Sequence, residues 1–241
     1  MREHFEVIRR LVGEVPVTPL ATGLDHRVYA VGDGLVARFG PGAGEEAALL
    51  AAVAPRVPLP VPVPLAVDAA AGCLVLPRVC GVSLLERPSP ERGRFASAMA
   101  DFVAAVHVLQ WPAPLDETPP SAWLAEARET WPRVRDLVPG WVEAFLENDA
   151  PASVAPCFIH GDLGAEHVFV DGDEITGVID WGDAALGDPA VDHGRLMRDF
   201  DLDFGERARF YAICTALEDV AYGREPYVTN AVAALERLAR T

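Results

Sequence analysis

Hydrophobic and polar positions divide the chain into a strand-rich first third and a helix-rich remainder. Over residues 2–13, Phe5, Ile8, Leu11 and Val12 recur at helical spacing and predict an amphipathic helix. From 18 to 39 the pattern changes to period two. Val28 and Ala30 alternate with Tyr29 and Val31, Gly32-Asp33-Gly34 signals a tight hairpin, and LVARF follows at 35–39, so this stretch predicts antiparallel strands. GPGAG at 40–44 breaks the sheet, and EEAALLAAVA at 45–54 predicts a short helix with glutamates in the first turn, where the helix dipole favours them. The prolines of VPLPVPVPLAV, 57–67, remove backbone donors and predict an extended connector into strands at 65–68 and 73–79.

Beyond Gly81, helical periodicity covers 92–109, a pair over 121–148 interrupted near Pro132 and Pro139, 203–222 and 228–240. A β-rich island, 157–181, lies among them. The expected class is α+β. A small antiparallel-sheet lobe spans 1–80, and a larger, mainly helical lobe with an embedded hairpin spans 81–241. No internal repeat occurs.

Composition narrows the function. Of 241 residues, 51% are hydrophobic, which excludes disorder. The net charge of −16 argues against nucleic acid, whose phosphates need clustered cations, and suits a cationic ligand as well as simple solubility. No lysine occurs, so all 20 basic residues are arginine. Cys73, Cys80, Cys157 and Cys214 form no CxxC pair, which gives no zinc signature. The first residues show no apolar stretch followed by a small-residue cleavage site, no apolar run reaches bilayer length, and a cytoplasmic location without membrane partners is expected.

Chemistry concentrates in residues 160–192. His160 and Asp162 flank Gly161 after the apolar run CFI, and Glu166 and His167 follow. Two strands, VFV and ITGVI, enclose the turn DGDE, and Asp180 ends the second strand. A hairpin of this form predicts Asp162, His167 and Asp180 around one point. Clustered carboxylates raise one another's pKa unless a cation lies between them. A hard divalent cation would satisfy Asp180, leaving Asp162 to accept a hydrogen bond from a substrate hydroxyl, as phosphoryl transfer requires. Residues 171–173 read as turn residues only.

The order HGDL (160–163), His167, IDW (179–181), GDP (187–189) and Asp192 resembles the catalytic signature of the aminoglycoside phosphotransferase family. FVAAVH (102–107) and the proline-rich connector extend the resemblance over most of the chain. It implies a bilobal protein-kinase-like fold and an O-phosphotransferase of small molecules, foremost an antibiotic-modifying enzyme. Acceptors outside the aminoglycosides (a macrolide, a peptide antibiotic or a small metabolite alcohol) and a non-catalytic nucleotide-binding regulator are the alternatives. By the same resemblance Asp162 is the catalytic base and Asp180 the main magnesium ligand. His167 stands where most members carry a metal-binding Asn, with His known in macrolide phosphotransferases. His160 is read as bracing the loop, and Asp188 as capping a helix that begins at Pro189.

The small lobe is expected to hold ATP or GTP. TGLDHRVY, 22–29, contributes only Gly23 as a phosphate-loop glycine, and Arg38 stands where a strand lysine is usual. Glu46 is the expected ion-pair partner of Arg38, with Glu45 its rival. The segment LPRVCG (76–81) resembles the hinge that meets the purine edge. Pro77 lacks a donor there, which favours Val79 as the backbone contact. For a cationic acceptor the candidate acids are Asp183, Asp199 and Asp201, followed by Asp203, Glu218 and Asp219. Trp123, Trp131, Trp141, Phe204, Tyr211 and Tyr222 line a pocket or, more often in such proteins, belong to the core. Either a monomer or a homodimer fits the chain.

Overall fold

The computed structural model describes residues 2–22 and 26–239. The chain folds as two compact units, Met1–Gly81 with Phe169–Gly182, and Val82–Val168 with Asp183–Thr241. The sequence reading assigns 169–182 to the larger lobe, whereas their contacts lie with residues 1–81. Hydrogen bonds across a long chain separation decide this, the Val178 N–H donating to the Pro60 carbonyl at 2.9 Å and the Thr176 hydroxyl to the Cys80 carbonyl at 2.6 Å, and local pattern does not report them.

The first unit opens with α1 (Arg2–Val12), β1 (Val17–Thr22), β2 (Arg27–Val31), β3 (Leu35–Phe39), α2 (Ala43–Val53), β4 (Ala66–Asp68) and β5 (Cys73–Pro77). The sheet is antiparallel in the order β1-β2-β3-β5-β4. Alternation sorts its side chains. Tyr29, Val31, Ala37, Phe39, Cys73 and Val75 form a core with Val7 and Ile8 of α1. The intervening residues Val28, Val36, Arg38 and Leu76 point to the other face and line a cavity. In α2, Glu46, Leu49, Leu50 and Val53 are buried at helical spacing. Gly81 has φ +89°, and a Cβ there would lie 1.9 Å from the Val170 carbonyl oxygen, so this position needs glycine.

In the second unit, the two-residue β6 (Val82–Ser83) precedes a short helix α3 (Ser89–Arg92) and α4 (Ala96–His107). Next come α5 (Pro120–Val134), α6 (Trp141–Leu146) and β7 (Cys157–Ile159). The chain then forms the hairpin β8 (Val168–Asp171) and β9 (Glu174–Val178), whose turn and return strand belong to the first unit. It re-enters the second unit with β10 (Ala185–Gly187), α7 (Ala190–Phe200), α8 (Glu206–Tyr222) and α9 (Tyr227–Leu238). β10 pairs antiparallel with β7, Ala185 opposite Ile159. The core gathers α5 to α9 around α8, where every residue from Phe210 to Leu217 is buried.

Two expectations need correction. Helix α5 passes through Pro132 and ends at Val134, because a proline two residues from the end removes one terminal hydrogen bond only. The sequence marks only a helix start at Pro189, whereas α7 runs from Ala190 to Phe200 with Pro189 at its N-cap and, as described below, organises the site. No helix among the described residues is long and apolar enough to cross a membrane.

Candidate active site

The first unit contains a cavity of about 420 Å3, walled by apolar residues that include Val28, Val36, Leu50, Leu76, Phe169 and Ile179. Its charged lining residues are Arg38, Glu46, Arg78 and Asp180. Arg38 is the centre of this group. Its Nη2 pairs with the Glu46 carboxylate, its Nη1 lies 3.3 Å from Asp180 Oδ1, and both partners of the Arg38–Glu46 pair are about nine-tenths buried. Glu46, not Glu45, is therefore the partner, because the α2 face that turns inward carries Glu46. Burial lowers the Arg38 pKa and the Asp180 carboxylate opposes that shift, and a guanidinium keeps its charge through such a change.

The same Nη1 lies 3.2 Å from His26 Nε2. Arginine only donates, so His26 accepts at Nε2 and carries its proton on Nδ1. Nothing in the sequence pattern marked His26. Gly23, expected in the phosphate loop, lies outside the described residues.

At the cavity's backbone edge, the Arg78 N–H donates to the Gly34 carbonyl at 2.9 Å, and Leu35 faces Pro77 across the ladder. This is the spacing of a non-hydrogen-bonded pair, so the donor that Pro77 lacks would have faced away from β3 and the ladder loses nothing. Pro77 and Val79 both line the cavity.

Asp180 follows the β9 hairpin with φ +63°, in the left-handed region that aspartate tolerates better than most residues. The turn leaves its carboxylate 41% exposed beside Arg38 and sends Trp181 into the core, with the indole N–H donating to the Val178 carbonyl.

In the second unit, helix α7 lies along the loop that follows β7 and contacts it residue after residue. Asp192 accepts the N–H groups of His160 and Gly161, each at 2.9 Å, and lies 3.0 Å from His107 Nε2. Arg195 Nη1 pairs with Asp162 Oδ1 at 2.9 Å. Asp199 accepts the Ala165 N–H at 2.8 Å, and Arg198 lies 3.5 Å from Glu166. From the other side, the Ser83 hydroxyl donates to the carbonyls of Ala165 and Glu166.

These contacts set the charge states. Burial alone would raise the Asp162 carboxyl, but Arg195 and then His167 more than offset it and hold the group below its usual range. Asp192 is fully buried; burial pushes its carboxyl up, and the His107 contact and the His160 N–H bring it down. His167 Nδ1 lies 2.8 Å from the Asp162 carbonyl oxygen. A carbonyl only accepts, so the proton sits on Nδ1. Asp162, Glu166 and His167 bring possible ligand atoms within 4.8 Å of one another. His160 is buried and its Nδ1 accepts the Asp162 N–H at 3.3 Å, a bracing arrangement.

The acidic candidates separate. Asp199 is 3% exposed and engaged by Arg198 through two 2.8 Å contacts, so it holds the loop and does not face an acceptor. Asp183 is exposed, while Asp201 is exposed at the end of α7 and lies 3.5 Å from Arg237. Asp219 pairs with Arg198 at 2.8 Å. Asp188 accepts the Ala190 N–H at 3.0 Å, as a cap does, and also the Tyr211 hydroxyl. Among the aromatic candidates, Trp123, Trp131, Trp141, Phe204 and Tyr211 pack in the core, and Tyr222 is exposed. Asp180 belongs to the first unit, and Asp162 and His167 to the second.

Residues 16–224 match the Phosphotransferase enzyme family, and the chain belongs to it. A viomycin phosphotransferase of Streptomyces vinaceus is 33% identical over 135 residues. That match covers 49% of this chain and about half, 47%, of the relative's length. Among solved structures, wild-type aminoglycoside 2'-phosphotransferase-IIIa in its GDP complex aligns with a TM-score of 0.67 at 18% identity, over 99% of this chain and 98% of that one. The macrolide 2'-phosphotransferase MphH of Brachybacterium faecium aligns with a TM-score of 0.59 at 22% identity, over 98% of each chain. These two establish the shared α+β fold.

Proposed function

We propose that this chain transfers the γ-phosphoryl group of ATP to a hydroxyl of a small-molecule antibiotic, with an aminoglycoside or a related amine-bearing compound as the leading acceptor class. The observation that carries this reading is the buried Arg38–Glu46 pair in the wall of the apolar cavity. A planar purine fits such a cavity, and a fixed cation beside it suits the phosphates. The Pro77 carbonyl and the Val79 N–H are the backbone groups proposed for the purine edge. Family membership and the viomycin phosphotransferase relative support the same chemistry.

Asp162 is proposed to accept the acceptor hydroxyl's hydrogen bond and orient its oxygen for in-line attack. Its carboxylate stays ionised beside Arg195, and it supplies orientation more than basicity. Arg38, steadied by Glu46 and His26, is proposed to place the phosphates. Asp180 is proposed as the main magnesium ligand, since it offers a hard carboxylate oxygen; His167 is proposed as a second ligand, softer than the oxygen donors magnesium prefers. When bound, magnesium offsets the negative charge of the phosphates. Asp183 and Asp201 are the acidic groups proposed to meet an acceptor's amines. The use of ATP points to a cytoplasmic site of action.

The test is nucleotide turnover with magnesium across kanamycin, viomycin, a macrolide and small amino alcohols, with Asp162→Asn as control. Acceptor-dependent ADP release that Asp162→Asn loses is the expected result. Tight nucleotide binding with no release for any acceptor would replace this reading with a nucleotide-binding regulator.

A further inference from the structure

We propose that Arg195 is a positioning residue of the transfer step: it anchors one oxygen of Asp162 so that the other is presented to the acceptor hydroxyl. The inference rests on the proposed phosphotransferase reading. No part of the sequence signature includes this residue.

The geometry is specific. Arg195 Nη1 lies 2.9 Å from Asp162 Oδ1, while Oδ2 lies 3.4 Å from His167 Nδ1, whose hydrogen is already directed at the Asp162 carbonyl. Oδ1 is therefore held by a charge-assisted bond, and Oδ2 makes only a long contact. An aspartate side chain turns freely about its terminal torsion unless something fixes it. Here the fixing group is a guanidinium only 11% exposed, on a helix. That helix is itself fixed to the loop one turn before by Asp192 and one turn after by Asp199. The positions 192, 195 and 199 share one helical face, so each contacts a successive part of the loop. Asp192 and Asp199 hold backbone N–H groups and are explained by loop shape alone. Arg195 holds the one loop side chain assigned to the acceptor. Glu166 and Glu218 also face Arg195 and keep the cation compatible with burial.

The experiment compares Arg195→Met and Arg195→Lys, alone and combined with Asp162→Asn, using kanamycin and viomycin as acceptors. Arg195→Met should lower kcat by about 10- to 100-fold with the nucleotide KM within about 2-fold, and Arg195→Lys should recover part of the loss. In the Asp162→Asn background the same Arg195→Met change should alter residual turnover by less than about 3-fold. Equal losses in both backgrounds, or a raised nucleotide KM at unchanged kcat, would overturn the proposal. Crystal structures of the wild type and Arg195→Met give a reading independent of turnover. The Asp162 carboxylate should leave its orientation in the variant, and an unchanged orientation overturns the proposal. If Arg195→Met does not fold, Arg195→Gln takes its place in both arms. A wild type with no turnover would sink the phosphotransferase reading, while the carboxylate comparison still decides what Arg195 orients.

Discussion

Asp192 Oδ1 accepts the backbone N–H of Gly161 at 2.9 Å, and its other oxygen takes the neighbouring His160 N–H at the same distance. One buried carboxylate thereby ties the start of the 160–167 loop to helix α7. Replacing it strands two backbone donors and the His107 contact. Asp192→Ala should cost about 3 kcal/mol of unfolding free energy, and Asp192→Asn less, because an amide keeps one accepting oxygen. Urea denaturation checks this, and a loss below about 0.5 kcal/mol for the alanine variant would contradict the assignment.

Gly81 and Gly13 give a matched pair. Both have positive φ, +89° and +82°, but a Cβ at Gly81 would meet the Val170 carbonyl oxygen whereas Gly13 has open space. Gly13→Ala should therefore cost only the left-handed backbone strain, about 1 kcal/mol. Gly81→Ala should cost about 3 kcal/mol or more, since the obstructing atom is backbone. Equal melting temperatures for the two variants would show that the close approach at Gly81 is relieved at little cost.

Asp219 predicts a pH effect of uncommon sign. Burial pushes its carboxyl up to about 7, and the neighbouring Arg198 only partly opposes this. The unfolded chain has the ordinary value near 4, so between about pH 4 and pH 7 the folded state binds more protons than the unfolded one. Stability from this group is present below that window and is lost as pH rises through it. Asp219→Asn should remove the dependence. Its stability relative to the wild type should climb from pH 4 to pH 7 and then level off in denaturation curves. A difference that stays flat with pH would show that Asp219 titrates normally.

Arg38 and Glu46 should act as a unit on the nucleotide. Arg38→Met should weaken ADP binding by at least about 10-fold, and Glu46→Gln should weaken it less, because His26 and Asp180 still contact the guanidinium. Calorimetric titration of ADP with magnesium measures both. Unchanged affinity in Arg38→Met would place the phosphates elsewhere.

The strands of the first unit are legible for two reasons: burial alternates along 27–31 and 35–39, while 73–76 is an unbroken apolar run because both of its faces are covered. Helix α7 was far less legible. Its buried residues include Asp192, Arg198 and Asp199 along with Val191, Leu196 and Phe200, so charge and apolarity do not segregate to opposite faces. The same mixture misassigned Asp199, an acid on a helix that looks solvated by composition and is enclosed by Arg198 and the Ala165 N–H.

By itself the sequence determined the α+β class, the sheet alternation and the order of motif residues from His160 to Asp192, because these depend on local periodicity and on residue type at fixed spacing. It also singled out Arg38 and Glu46, one strand and one helix apart. Only the tertiary structure decided which side chains hold them. His26 beside Arg38, Arg195 on Asp162 and the membership of 169–182 in the first unit all depend on contacts between distant segments. Such contacts are made by packing, which brings together groups that no local pattern relates, and an ion pair leaves no periodic trace in the chain that forms it.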